Sequence, residues 1–161
     1  MKRAAVITAS NRAFNGVYED TSGQILLQGL KALGYQIDAV EVLPDDIEKI
    51  ASAIKFAIKD GLDLVVTTGG TGISPLDVTP EATEPLIEKK MPGILEALRA
   101  YSRDKVPTTD LSRGAAGVTN KTLIINLPGS PGAAKDGLVI IERLAPHIHD
   151  QLAGHDHSPS N

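Results

Sequence analysis

The sequence predicts an α/β domain built on a mostly parallel sheet. Short apolar runs typical of strands alternate with amphipathic stretches typical of helices along the 161 residues, and this alternation is characteristic of the class. Only 3% of the residues are aromatic while 42% are hydrophobic, so aliphatic side chains must fill the core, as they do where helices cover a parallel sheet. The stretch 62–66, with Asp63 as its one polar residue, predicts a strand buried on both faces.

The predicted elements follow one another without internal repeats or a linker. We predict strands at residues 3–9, 35–43, 62–66 and 122–127. We predict helices at residues 21–33, 46–60, 79–90, 92–102 and from 133 onward. The second helix is the clearest, because Ile47, Ile50, Ile54 and Ile58 recur at the helical period and Gly61 follows its end.

Prolines and one irregular segment set further expectations. Pro85 lacks an N–H group and should kink the helix 79–90, and Pro146 should interrupt or restart the last helix. Residues 107–120 show no clear period and are expected to be irregular, whereas Tyr101 is expected to be buried. Residues 1–152 thus form one predicted domain, followed by a polar and flexible tail at residues 153–161.

Composition and charge narrow the possible functions. The chain has no cysteine, which rules out disulfides, thiolate zinc sites and a cysteine nucleophile. Its formal net charge of -4, with acids and bases interspersed, gives no electrostatic support for a nucleic-acid or anionic-membrane partner. No apolar run approaches the roughly 20 residues that would span a bilayer. We therefore expect a cytoplasmic protein with neither of these partners.

Residues 69–78, called the glycine loop below, come shortly after the strand 62–66. Gly69, Gly70 and Gly72 indicate chain that approaches other backbone closely or adopts positive φ. A row of N–H groups with no side chains in the way is what a phosphate needs. No Lys-Ser or Lys-Thr pair follows these glycines as in a P-loop, and Pro75 stands where the dinucleotide fingerprint needs a third glycine. A tight turn that binds nothing is the alternative.

Four unusual loops follow predicted strands and should gather at one edge of the sheet, where α/β proteins bind ligands. They are residues 10–20, 44–46, 69–78 and 128–132. Asp45 and Asp77 supply carboxylates there while cations are few, so a divalent cation is the expected source of positive charge and Mg-nucleotide the natural ligand. Simpler roles stay open, because Asp45 or Asp46 could cap a helix and Asp77 its turn. Asn126 could likewise only satisfy neighbouring backbone.

The glycine loop also carries a family resemblance. The signature of the MogA/MoaB family of molybdenum-cofactor biosynthesis proteins resembles Gly69-Gly70-Thr71-Gly72 followed by Asp77-Val78-Thr79-Pro80. Further segments agree in order: Thr8-Ala9-Ser10-Asn11-Arg12, Leu43-Pro44-Asp45-Asp46, Leu111-Ser112-Arg113 and Asn126-Leu127-Pro128-Gly129. The resemblance covers residues 1–152.

This resemblance implies a three-layer αβα sandwich that assembles as a homotrimer. It implies a molybdopterin adenylyltransferase, which binds molybdopterin and transfers AMP from Mg-ATP to the terminal phosphate of molybdopterin with release of pyrophosphate. ATP and molybdopterin are thus the expected substrates and Mg2+ the expected cofactor. A molybdate-inserting protein is the expected recipient of the product.

Matching positions carry the family's functional residues over to this chain. Asp45, Asp77 and Ser112 correspond to catalytic residues, and the two aspartates are the implied metal ligands. The implied pocket-lining residues are Ser10, Gly69, Gly70, Thr71, Gly72, Asn126, Pro128 and Gly129. Apart from Ser112 and Asn126, the residues that the resemblance implies lie on the same loops that the residues themselves indicate.

Two departures from the family pattern keep alternatives open. Many members have Asp where this chain has Asn11 and Arg where it has Leu76, and loss of a cation beside a phosphate site would weaken substrate binding. One alternative is a MoaB-like paralogue that binds molybdopterin with little or no adenylyl transfer. Another is an unrelated α/β nucleotide-binding enzyme. The joint presence of Asp45, Asp77 and Ser112 favours the adenylyltransferase.

Overall fold

A computed structural model describes residues 1–155 as a six-stranded sheet covered by helices on both faces. The strands are β1 (Ala4–Ala9), β2 (Val40–Leu43), β3 (Leu64–Thr68), β4 (Lys89–Lys90), β5 (Ala116–Thr119) and β6 (Thr122–Leu127). The helices are α1 (Asn11–Phe14), α2 (Thr21–Ala32), α3 (Ile47–Lys59), α4 (Thr79–Thr83), α5 (Pro92–Ser102) and α6 (Pro131–Leu152). Of the predicted tail 153–161, residues 156–161 lie outside the described part of the chain.

The sheet has a parallel part and an antiparallel edge. The strand order is β2-β1-β3-β6-β5-β4. β1 pairs in parallel with β2 and β3, and β3 with β6, whereas β5 pairs antiparallel with β6 and β4. The chain runs from β1 outward to β2 and then returns past β1 to β3, so its direction reverses between β1 and β3. Loops that leave such a switch point diverge and open a crevice in which ligands bind.

Two hydrophobic cores lie on opposite faces of the sheet. The first is formed with α2, α5 and α6 and includes Leu30 and Val66. The second is formed with α3 and α4 and includes Ile54 and Val65. Neighbouring residues of β3 thus face different layers, as the twofold period of a strand requires. The predicted three-layer αβα arrangement with a mostly parallel sheet is confirmed.

The second predicted strand is shorter than expected. Of residues 35–43, only Val40–Leu43 pair as β2. Tyr35 and Ile37 belong to the first core, so burial without regular strand pairing accounts for the apolar pattern that precedes β2. The third strand also begins later than predicted, at Leu64, and its pairing with β1 and β6 continues to Thr68.

Pro85 ends a helix instead of kinking it. The predicted helix 79–90 consists of α4, a 3-10 turn at Glu84–Leu86 and the short strand β4. Proline has no N–H group to donate to the carbonyl four residues earlier, so the α-helical hydrogen bonds stop there, although Glu84 before it keeps helical φ and ψ angles of -56° and -42°. The helix therefore stops just before this position, and the prediction of a kinked helix to residue 90 is wrong.

The last helix is longer and more regular than predicted. α6 begins behind its N-cap Ser130 and passes Pro146 without interruption. Side chains on both sides of this proline, including Ala145 and Ile148, lie in the first core, and that packing offsets the backbone hydrogen bond that proline removes. Neither α6 nor any other helix within residues 1–155 is long and apolar enough to cross a membrane.

The segment 107–120 contains structure that its sequence pattern does not show. Pro107–Leu111 form a 3-10 turn, and β5 extends the sheet antiparallel to β6. Tyr101, expected to be buried, is 38% exposed. Its ring lies near the cations of Lys105 and Arg143, at 4.9 and 5.2 Å from the ring centre, and such contacts hold an aromatic ring at the surface.

Candidate active site

The glycine loop leaves β3 and passes close to the end of β1. Gly69 and Gly70 have φ angles of 96° and 69°, which glycine adopts without strain. A Cβ atom on Gly69 would lie 2.4 Å from the backbone oxygen of Ala9, closer than two such atoms can approach. The glycines therefore let the loop lie directly against the neighbouring strand.

Three backbone N–H groups of the loop have no hydrogen-bond partner in the part of the chain that the structure describes. Among the described residues, no acceptor takes a hydrogen bond from the N–H groups of Gly70, Thr71 and Gly72. Consecutive free N–H groups form a cradle for an anion. The carbonyl of Gly70 accepts from the N–H of Thr79, which ties the loop to α4.

Asp77 closes the glycine loop and also faces open space. Its N–H donates to the carbonyl of Ser74, and its Oδ2 accepts from the N–H of Ser74 at 3.0 Å. The turn-capping role is therefore present. Within residues 1–155 nothing donates to its Oδ1. Asp77 also lines both clefts described below. Its Oδ1 is therefore left to bind a ligand.

Asp45 forms a reciprocal pair with Asn11. The N–H of Asn11 donates to Oδ2 of Asp45 at 3.1 Å, and the N–H of Asp45 donates to Oδ1 of Asn11 at 2.9 Å. The neighbouring Asp46 is the residue that caps α3, because its side chain accepts from the N–H of Lys49. Burial raises the pKa of Asp45; the Asn11 hydrogen bond opposes this rise, and the negative charge of Asp77 adds to it. The charges of the two predicted metal ligands therefore interact.

A cleft of about 540 Å³ opens between the ends of β1 and β3 and is called the first cleft. Its acidic lining residues are Glu19, Asp20, Asp45 and Asp77, and Arg12 is the cation among its described lining residues. The first cleft is thus rich in acceptors and poor in positive charge.

The second cleft, of about 610 Å³, lies on the other side of the glycine loop. Its charged lining residues are Asp77, Lys105, Lys135 and Asp136. Asp136 accepts hydrogen bonds from the Ser102 hydroxyl at 2.7 Å and from the Lys105 ammonium at 2.9 Å. Burial alone would raise the pKa of Asp136, but these two hydrogen bonds hold it below its ordinary value. Lys135 has no charged partner within residues 1–155, so it is free to meet an anion.

The predicted site residues divide between the two clefts. The first contains Asp45, Ser10 and Gly69; the second contains Ser112, Thr71, Gly72 and Pro128; and both are lined by Gly70, Asp77 and Gly129. The Ser10 hydroxyl lies 2.8 Å from that of Tyr18. The structure thus brings Asp45 and Asp77 into one cleft and places Ser112 across the loop from them.

Two predicted site residues are engaged with the protein itself. The Ser112 hydroxyl donates to the carbonyl of Thr109 at 2.8 Å. This hydrogen bond must break before the hydroxyl can donate to a ligand. Asn126 is fully buried and lines neither cleft. Its amide donates to two buried threonine hydroxyls, and its Oδ1 accepts from the N–H of Ala115 at 2.9 Å. Asn126 is thus a buried residue that bonds to its neighbours, as its simpler interpretation allows, and it does not line the pocket as the resemblance implied.

Several lining residues are not among the predicted site residues. Asp20 caps α2 by accepting from the N–H of Gly23 at 3.0 Å, and it also accepts from the Thr8 hydroxyl at 2.7 Å. Asp20 and Tyr18 lie in one of the loops that follow a strand, which is the signal that could have identified them. Lys105 has no such signal, since it precedes a segment without a period.

The carboxylates suit a magnesium ion that is shared with a substrate. No group of three or more His, Cys, Asp and Glu side chains within residues 1–155 could hold a metal by itself. Mg2+ in phosphate sites is commonly held by one or two carboxylates together with phosphate oxygens and water. Asp45 and Asp77, whose charges repel each other, fit that requirement.

The chain is similar in sequence and in structure to known proteins. Residues 5–147 match the family described as "Probable molybdopterin binding domain". A molybdopterin adenylyltransferase of Helicobacter pylori is 43% identical over 154 residues, which cover 92% of this chain and 86% of that protein. The structure of the molybdopterin biosynthesis Mog protein of Mycobacterium ulcerans has a TM-score of 0.89 at 41% identity, covering 94% and 99% of the two chains. MoaB of Thermus thermophilus has a TM-score of 0.86 at 37% identity, covering 98% and 100%.

Proposed function

This chain belongs to the molybdopterin-binding domain family of molybdenum-cofactor biosynthesis, and on that premise we propose that it transfers AMP from ATP to the terminal phosphate of molybdopterin. The observation that carries the proposal is the pair of clefts that share Gly70, Asp77 and Gly129. A transfer between two substrates needs their reacting groups to meet in a fixed orientation, and two clefts with a common wall allow this.

In the proposed reaction, a phosphate oxygen of molybdopterin attacks the α-phosphorus of ATP. A new phosphorus–oxygen bond forms, the bond to the bridging oxygen of the β-phosphate breaks, and pyrophosphate leaves with that oxygen. The attacking phosphate is already ionised near neutral pH, so alignment and charge neutralisation matter more than a general base. The free N–H groups of Gly70, Thr71 and Gly72 are suited to bind phosphate oxygens. Lys135, in the first turns of α6, adds positive charge on the second-cleft side.

Asp45 and Asp77 would hold the Mg2+ that accompanies ATP. When bound there, the ion would neutralise negative charge on the phosphates. The raised pKa of Asp45, to which burial contributes most and the charge of Asp77 adds, supports this assignment because a cation between the carboxylates would relieve the repulsion. Asn11 offers Asp45 the Oδ1 acceptor that an aspartate would offer, with one negative charge fewer, so this departure from the family pattern preserves the geometry.

One feature favours the MoaB-like alternative, which binds molybdopterin but transfers AMP poorly. Leu76 is 58% exposed and lines the first cleft, at the position where many family members carry Arg. Phosphate charge in that cleft is therefore compensated less than in those members.

We further propose a homotrimer, a cytoplasmic location and hand-over of the product to a molybdate-inserting protein, all from the family resemblance. The homotrimer is the part most easily measured. Equilibrium sedimentation at micromolar concentration should give three times the mass of the chain, and a stable monomer, dimer or hexamer would contradict it.

One assay tests the proposed function. Purified protein is mixed with molybdopterin and Mg-ATP, and pyrophosphate and adenylated pterin are measured together. We expect equal amounts of both products, loss of both in excess chelator, and recovery when Mg2+ is added back. Molybdopterin binding without pyrophosphate release would support the MoaB-like alternative instead, and absence of molybdopterin binding would contradict both.

A further inference from the structure

The side chain of a single arginine bridges two positions of the glycine loop that lie five residues apart. Nε of Arg113 donates to the carbonyl of Gly72 at 3.0 Å, and its Nη2 donates to the carbonyl of Asp77 at 3.3 Å. The backbone N–H of Arg113 donates to the carbonyl of Thr71 at 2.9 Å. All three acceptor residues line the second cleft, whereas Arg113 itself lines neither cleft. The Arg113 side chain can therefore act on the two clefts only through the loop.

Glu81 on α4 holds the guanidinium group in this orientation. Its two oxygens accept from Nη1 of Arg113 at 2.9 Å and from Nη2 at 3.1 Å, a bidentate geometry that fixes the guanidinium plane. The hydrogen bond from Arg113 lowers the pKa of Glu81, so the carboxylate stays charged near neutral pH. The orientation of the loop-binding donors is thus set from outside the loop.

Stability alone is a weak explanation for this arrangement. The side chains of Arg113 and Glu81 are 39% and 44% exposed, and exposed ion pairs contribute little to the free energy of unfolding. Arg103 and Asp110 form a comparable pair that is 51% and 48% exposed, with Nε within 3.0 Å of both carboxylate oxygens. Within residues 1–155 the Arg103 side chain donates nothing to the glycine loop. The two pairs differ in that Arg113 also donates hydrogen bonds to carbonyls of the glycine loop.

We infer that Arg113 is a positioning residue, which fixes the loop through the carbonyls of Gly72 and Asp77 and so orients the Asp77 carboxylate. Because it directly follows Ser112, Arg113 also links the far wall of the second cleft to the loop. The kinetic part of this inference rests on the proposed function, whereas the effect on the loop does not. A misplacement of about 1 Å can lower a rate by about 10²-fold, so kcat should respond more than KM.

Four variants of this chain test the inference: Arg113→Gln, Arg113→Lys, Glu81→Gln and the matched control Arg103→Gln. Hydrogen exchange of the loop amides is measured in the ligand-free protein, and kcat and KM are measured with ATP and molybdopterin. Arg113→Gln should show faster exchange in residues 70–78 and a ~10- to 100-fold lower kcat with little change in KM. Arg103→Gln should match the wild type in both readouts. Arg113→Lys keeps the charge but not the planar fork, so it should resemble Arg113→Gln, and Glu81→Gln should show a smaller effect of the same kind.

The outcomes separate this inference from the proposed function. Loop exchange in Arg113→Gln that equals that of Arg103→Gln would overturn the positioning role, even if the melting temperature falls. Full kcat in Arg113→Lys would also overturn it, because charge alone would then suffice. A wild-type protein that releases no pyrophosphate would refute the proposed function, while faster loop exchange in Arg113→Gln would still support the positioning role.

Discussion

The two clefts share a wall but differ in charge. The first has four carboxylates and the single cation Arg12 among its described lining residues. The second has Lys105, Lys135 and two carboxylates, and one of these, Asp136, is already paired with Lys105. Loops at the ends of β1 and β3 build the first cleft, whereas the segment before β5 and the start of α6 build the second.

This difference indicates separate tasks for the two sides of the glycine loop. A phosphate group in the first cleft needs an added cation, because the carboxylates there would otherwise repel it. A phosphate group in the second cleft can use Lys135 and the N-terminus of α6. Loss of a carboxylate from the first cleft should therefore change the metal requirement, and substitutions in the second cleft should change substrate affinity.

The largest effect is expected at the shared wall. Asp77→Asn should fold normally, because an asparagine oxygen can accept the same hydrogen bond from Ser74. AMP transfer should fall by about 10²- to 10³-fold, since losing one preorganised electrostatic group costs ~2.7–4 kcal/mol. Asp46→Asn, which exchanges one good cap for another on α3, is the control and should stay active. Near-normal AMP transfer by a well-folded Asp77→Asn protein would leave Asp77 as a turn cap only.

Asp45→Asn, in the first cleft, should lower the rate of AMP transfer without lowering the stability of the fold. AMP transfer should fall by about 10²-fold, and more Mg2+ should be needed to reach it. Burial raises the pKa of Asp45 above its ordinary 3.8, so the folded state binds this proton more readily than the unfolded state. Ionised Asp45 therefore destabilises the fold above the raised pKa, and this penalty disappears as the pH falls below 3.8.

Thermal unfolding across acidic to neutral pH measures the stability part of that prediction. Asp45→Asn should melt at or above the wild-type temperature at neutral pH, and the two curves should converge in acid. A variant that melts well below the wild type at neutral pH would show that the Asp45 carboxylate stabilises the first cleft.

A smaller effect is expected in the second cleft. Ser112→Ala removes a hydroxyl that bonds to Thr109, and it should raise KM by about two- to tenfold, as the loss of one hydrogen bond of about 0.5–1.5 kcal/mol would. The Mg2+ requirement should not change. No covalent intermediate is expected, because phosphate attack needs no activated serine. Mass spectrometry that finds AMP or pterin attached to Ser112 in the working enzyme would overturn this role.

The smallest expected effect is an increase in ATP affinity. Leu76→Arg adds a cation at the edge of the first cleft and should tighten ATP binding by roughly fivefold, since an exposed charge pair contributes about 1 kcal/mol. The gain should shrink as salt is added. Calorimetry at low and high ionic strength, with Leu76→Gln as an uncharged control, measures it. An equal gain in both variants would show that charge is not what the first cleft lacks.

The sequence by itself determined the parallel part of the fold, apart from the bounds of β2 and β3, and the two predicted aspartates of the first cleft. β6 and α5 have the bounds that their local patterns predict, because apolar runs and a proline at the first helical position act over a few residues. Asp45 and Asp77 each follow a strand of the parallel part, and parallel strands end at the same edge of a sheet. Their meeting in one cleft could therefore be predicted without any long-range contact.

Only the tertiary structure decided the antiparallel edge, the second cleft and the inward role of Asn126. Lys105 meets Asp136 across 31 positions of the chain, and Arg113 reaches Gly72 across 41. The short strands β4 and β5 exist through pairing with β6 and with each other, and a strand propensity spread over four residues or fewer is weaker than such pairing. Contacts of this range leave no periodic signal in the sequence, because their energies depend on which distant side chains packing brings together.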